Sequence, residues 1–111
     1  MKTILNKEQS GHLVDLGLHS NKWTLYRNEQ GFNETYEYFT LTDLLEILPK
    51  EIKIDNSLFN LEIHVYNDIV HVIYCVGGMF PLAIKKSKEL IDALYELACW
   101  YYGEFLKSEK K

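Results

Sequence analysis

The sequence predicts an α+β domain: a small antiparallel sheet built on a β-hairpin, a long C-terminal helix packed across it, and two short helices in the N-terminal half. Three observations carry this. Residues 58–76, LFNLEIHVYNDIVHVIYCV, alternate apolar and polar side chains on either side of Asn67-Asp68, a pair that tolerates the positive φ of a tight turn. Residues 89–106, ELIDALYELACWYYGEFL, repeat apolar residues at helical spacing. Two shorter segments carry helix-start signals, Asn6 with Gln9 and Thr40 with Asp43.

The first helix is expected from Asn6 to Gly17, with Leu13 and Leu16 as its buried stripe and Gly17 as its stop. Trp23–Arg27 reads as a strand free to pair with either edge of the hairpin, with Trp23 and Leu25 or their alternates facing in. The polar stretch NEQGFNETYE then reads as a loop turning at Gly31. Thr40, with Thr42 as a rival cap, opens the second helix. Leu41, Leu44, Leu45 and Leu48 give it a buried stripe, and Pro49 ends it because the residue before a proline is pushed out of the helical region.

In the hairpin, the Asn67-Asp68 turn sets Tyr66 opposite Ile69 and His64 opposite His71. One face carries Phe59, Leu61, Ile63 and Val65 opposite Val70, Val72, Tyr74 and Val76, and is expected to be the core side. The other carries Asn60, Glu62, His64 and Tyr66 opposite Ile69, His71, Ile73 and Cys75. MFPLAI, with Pro81, is expected as an edge strand. Ser87 is the expected cap of the last helix, and the tail KSEKK is expected to be solvated.

The 111 residues suit one domain, 1–111, large enough to bury a core without disulfides or metals. A formal net charge of −4 argues against a nucleic-acid partner, since phosphate contacts need a basic footprint. Lys85, Lys86 and Lys88 form only a small basic cluster, read as a solvated end. Cys75 and Cys99 sit in apolar segments and read as reduced thiols of a cytoplasmic protein. No signal peptide is expected from MKTILNKEQSGHL, and no apolar stretch reaches the roughly 18 residues of a membrane span.

On a helical wheel the apolar residues of the last helix cover an arc on the order of 200°, and Trp100 falls outside it, beside Glu96 and Glu104. A tryptophan on the polar side is either covered by the N-terminal helix or the Gly31 loop, or marks a contact with a protein or a small ligand stacked on the indole. Trp100, with Tyr66, Ile69 and Ile73 on the mixed hairpin face, is therefore the expected interaction surface, for a protein partner or a second copy in a homodimer. The alternative chemistry is metal binding or hydrolysis: His64 and His71, directly opposed with Glu62 two residues along, hold the donor types of a two-histidine, one-carboxylate set. No glycine-rich phosphate loop or Gly-Xaa-Ser-Xaa-Gly turn is present, and no cofactor is expected.

Three segments, NKEQSGHLVDLGL, FTLTDLLEILPKEI and KELIDALYELACWYYG, together resemble small proteins of no established function encoded by phages and prophages of gut Bacteroides-type bacteria. The resemblance implies an intracellular setting and carries over no catalytic residue. The function expected is a non-enzymatic, intracellular protein-interaction module of phage or prophage origin.

Overall fold

A computed structural model describes residues 1–109, so the expectation for the tail at Lys110 and Lys111 lies outside the described residues. The architecture is α+β. In chain order it runs α1 (Lys7–Asp15), β1 (Trp23–Arg27), β2 (Asn33–Glu37), α2 (Leu41–Ile47), β3 (Glu51–Ile54), β4 (Ser57–Tyr66), β5 (Ile69–Val76), β6 (Met79–Ser87) and α3, which starts at Leu90. The strands form two antiparallel sheets: a ribbon of β1 and β2, and a four-stranded sheet in the order β3-β4-β5-β6.

Both short helices start where their side chains cap them. Asn6 accepts from the Gln9 N–H at 2.8 Å while the Gln9 side chain accepts from the Asn6 N–H at 3.1 Å. Thr40, not Thr42, caps α2 in the same reciprocal way with Asp43. Each box satisfies backbone donors that a helix start leaves unpaired. Gly17, at φ 92°, turns the chain after α1.

The β4–β5 register is the expected one: Asn67 and Asp68 take φ of 51° and 64°, and His64 faces His71. The core side is only half as expected. Helix α3 crosses β5 and β6, so Val72 and Tyr74 are fully buried. On β4, Phe59 and Leu61 are half-buried, while Ile63 and Val65 stay exposed, Val65 at 64%. Ala83 of β6 packs against the core, and a bulge interrupts the β5–β6 pairing at Tyr74–Cys75. The Tyr74 hydroxyl donates to the Pro49 carbonyl at 2.7 Å, which pins the end of the α2 segment to the sheet.

Three expectations need correction. Trp23–Arg27 joins neither edge of the hairpin; it pairs with Asn33–Glu37, a stretch too polar to read as a strand. Residues 51–54 form an additional strand, β3, paired with β4. Helix α3 begins at Leu90 rather than Ser87, and no side chain caps it; the Glu89 N–H reaches the Ser87 hydroxyl only at 3.4 Å.

The β1–β2 ribbon is tied down at its root. Glu37 is 5% exposed and accepts from the Ser20 and Asn21 N–H groups and from the His19 ring at 3.1 Å. Those bonds hold Asn21 at φ 61°, the turn that launches β1. Burial alone would raise the Glu37 pKa, but the Asn21 N–H, the His19 ring and the Ser20 N–H together hold it below the usual carboxylate value. Beside it, Lys22, just before β1, reaches the buried Asp43 carboxylate at 2.5 Å and ties the ribbon to α2. Asp43 is also held low: Lys22 and Thr40 outweigh its burial.

A carboxylate with a lowered folded pKa stabilises above its unfolded pKa, 4.5 for glutamate, and that contribution disappears as the pH falls through the folded value. We expect stability to be flat near neutrality and to fall as the pH drops below about 4.5. Glu37→Gln should cost about 2 kcal/mol at pH 7 and flatten part of the acid slope, because Gln cannot serve all three donors as a carboxylate does. Urea melts of both proteins across pH 3–7 check this.

Candidate functional site

Three surfaces gather the residues able to bind or react: the outer face of the β4–β5 hairpin, a groove beside α3, and the β1–β2 ribbon.

On the hairpin, His64 and His71 face each other, but their rings are engaged separately. The His64 Nε2 lies 2.9 Å from Glu62 Oε1, and Glu62 also accepts from the Cys75 thiol at 3.2 Å. Tyr66 stacks on His64 at 6.0 Å between centroids and meets His71 edge-on at 5.0 Å. The Cys75 and His64 hydrogen bonds keep Glu62 below the usual carboxylate pKa. Among the described residues no group of three or more His, Cys, Asp and Glu side chains is placed to hold a metal ion. Glu62 engages His64 along its own strand, and Tyr66 packs against His71. Of the apolar residues expected here, Tyr66 is exposed, and Ile69 and Ile73 are half-buried.

Trp100 is not an exposed residue on a polar face. It is half-buried, 6.0 Å from the Tyr74 ring and 5.2 Å from Phe105. The wheel sets Trp100 next to Ala93, and Ala93 is fully buried, so the buried arc reaches further toward that flank than hydropathy alone indicates. After Trp100, α3 passes through a π-helical stretch, Tyr101–Phe105, and ends in an α-turn, Leu106–Glu109. The wider turn brings residues five apart closer together around the axis than an α-helix does, and Phe105 packs against Trp100.

The outer edge of Trp100 borders a groove of about 560 Å³ whose walls include His12, Lys85, Tyr95, Glu96 and Cys99. The His12 Nδ1 is 2.9 Å from the Tyr95 hydroxyl and 3.7 Å from the Cys99 sulfur. A thiol beside an imidazole is the raw material of a nucleophile, but burial pushes the Cys99 thiol up, and Glu96 adds to this, against the Tyr95 hydrogen bond and Lys85. The protonated thiol prevails at neutral pH. The sequence reading missed this trio because His12 and Cys99 are 87 positions apart and meet only through the packing of α1 on α3.

The ribbon is different in kind. Among the described residues, no element beyond β2 packs extensively on β1. One face is partly covered: Lys7 sits 3.9 Å above the Tyr26 ring, and Tyr26 packs edge-on to Tyr36. The other face presents Trp23 at 62% exposure and Leu25 at 69%. Phe32, also 69% exposed, stands in the turn, where the Asn28 side chain accepts from the Gln30 and Phe32 N–H groups. In the sequence this surface was legible only as a strand, with either face free to turn inward.

No protein-family profile matches this chain, and no curated protein or solved structure matches it. Among the described residues no helix is long and apolar enough to cross a membrane.

The two tryptophans should separate in solution. In dilute protein, iodide should quench Trp23 strongly and Trp100 weakly, so Trp23→Phe removes most of the quenchable emission and Trp100→Phe leaves it. Stern–Volmer plots of the two variants measure this; equal loss from both contradicts the placement of Trp100.

Proposed function

We propose that this chain is a non-enzymatic protein-interaction module that makes its contact through the β1–β2 ribbon. The observation that carries the reading is the exposure of Trp23 and Leu25, side by side on one face of a ribbon two strands wide. A two-stranded hairpin is marginal in water on its own. Here it is held at its root by the Glu37 carboxylate and by Lys22 on Asp43, and its inner face is held by Lys7 and Tyr36. The bonds that stiffen the ribbon leave the large apolar side chains outward. Aromatic side chains presented from a rigid support are what dominate protein contacts, because little conformational freedom remains to be lost on binding.

The molecule's shape supports the same reading. Its extents are 53 × 39 × 19 Å and its radius of gyration is 15.6 Å, against about 13 Å for a compact domain of this length. A flat, extended chain offers edges and faces rather than an enclosed cleft. The intracellular setting and the phage or prophage origin rest on the sequence resemblance alone. Trp100 no longer centres the contact, and Tyr66 adds a smaller exposed aromatic on the other sheet.

A photoreactive phenylalanine placed at position 25 or 32 should give discrete cross-linked adducts in cells, and their yield should fall when Trp23→Ala is added. The same group at exposed Glu96, on the far helix, should give none. Equal adduct patterns from all three positions, or no adducts from the ribbon, would refute the reading.

A further inference from the structure

The β1 strand has one partner and one open edge, and the register determines which backbone groups face that opening. The Asn28 N–H donates to the Phe32 carbonyl and the Tyr38 N–H to the Lys22 carbonyl, each at 2.9 Å. In an antiparallel pair the hydrogen-bonded positions alternate, so Lys22, Thr24, Tyr26 and Asn28 direct their backbone groups to β2. Trp23, Leu25 and Arg27 turn their N–H and C=O groups outward. These are the same residues whose side chains form the exposed face.

The other sheet margins are defended against pairing. Edge strand β6 carries Pro81, a bulge, and Lys85 and Lys86. Edge strand β3 is short, with Glu51 and Lys53. Strand β2 is polar, NETYE, and α1 packs against it. Strand β1, WTLYR, has no proline, no glycine and a single charge at its end. An open edge without proline, glycine or bulge is a template for another strand.

We propose that the occupant is a second copy of this chain: β1 pairs antiparallel with β1 about a two-fold axis through Leu25. This assignment rests on the interaction reading above and names its partner. The strand is complementary to itself in that register. Leu25 faces Leu25, and Trp23 faces Arg27 of the second copy, twice by symmetry. All of the facing residues are outward-directed, so each facing pair exchanges two backbone hydrogen bonds. Each Arg27 guanidinium then lies within reach of an indole face, an attraction that the isolated chain leaves unused. On the opposite face, Thr24 stands across from Tyr26. Sliding the pairing by two residues brings in Asn21, whose φ of 61° leaves the strand, or Glu29 in the turn, and loses a pair of bonds. The product is one continuous four-stranded sheet, β2-β1-β1-β2, in which neither β1 edge remains open.

The axis residue makes the test specific, because any charge placed at Leu25 meets its own copy. Wild type should sediment at twice the chain mass of 13.1 kDa. Leu25→Lys and Leu25→Glu should each sediment as monomers, and an equimolar mixture of the two should return to dimer mass. Leu25 is exposed, so both variants should keep the wild-type circular dichroism spectrum. A wild type that stays monomeric at every concentration overturns the proposal. So does a dimer that survives both single charges, or a mixture of folded variants that fails to pair. A monomeric wild type that still cross-links a different protein through position 25 removes the second-copy assignment alone. Absence of any ribbon adduct removes the interaction reading with it.

Discussion

The carboxylate of Glu37 is almost wholly withdrawn from water, and the N-terminal half of the molecule is arranged around it. A buried charge is tolerated only when its lone pairs are filled, and here the backbone of Ser20 and Asn21 and the ring of His19 fill them. The consequence is geometric. The chain between α1 and β1 must fold back onto the last residue of β2, so the ribbon leaves the body at a fixed angle. Lys22 on Asp43 repeats the constraint one residue further on and links it to the α2 capping box. Two acidic side chains thus position a ribbon that has little apolar burial of its own.

The four-stranded sheet and α3 provide the mass to which that ribbon is fixed. Their packing is asymmetric: α3 covers β5 and β6 and leaves Ile63 and Val65 of β4 in water. The π-helical stretch follows from the same packing, since it lets Phe105 close under Trp100 while Tyr102 donates to the Ile47 carbonyl. Trp100 packs between Tyr74 of the sheet and Phe105 of the helix and also borders the groove. Of the two tryptophans, the exposed one is Trp23, on the ribbon.

The sequence carried the fold class, the β4–β5 register and both capping boxes, because each depends on neighbours a few residues apart. The reading of β2 as loop failed for a physical reason: Asn33–Glu37 has a single aromatic and gains its strand character from pairing with β1, not from hydrophobic alternation. Strand β3 has only Ile52 and Ile54 in alternation, too short a pattern to tell a strand from the end of a helix. The inward face of β1 could not be read from WTLYR, since both faces carry aromatics and only the placement of α1 and Lys7 decides between them. His12 with Cys99, and Glu37 with Ser20, are tertiary meetings with no local signature. The opposed histidines were found correctly by register, yet side-chain direction, set by Glu62 and Tyr66, decided what they do.

Amide hydrogen exchange along β1, followed as a function of protein concentration, tests the central claim most directly. If β1 is a contact edge that pairs with its own copy, the amides of Thr24 and Tyr26 are protected at all concentrations. Those of Leu25 and Arg27 are slow in concentrated protein and become fast on dilution. Leu25 and Arg27 amides that exchange freely at every concentration would contradict the account, as would protection that dilution leaves unchanged.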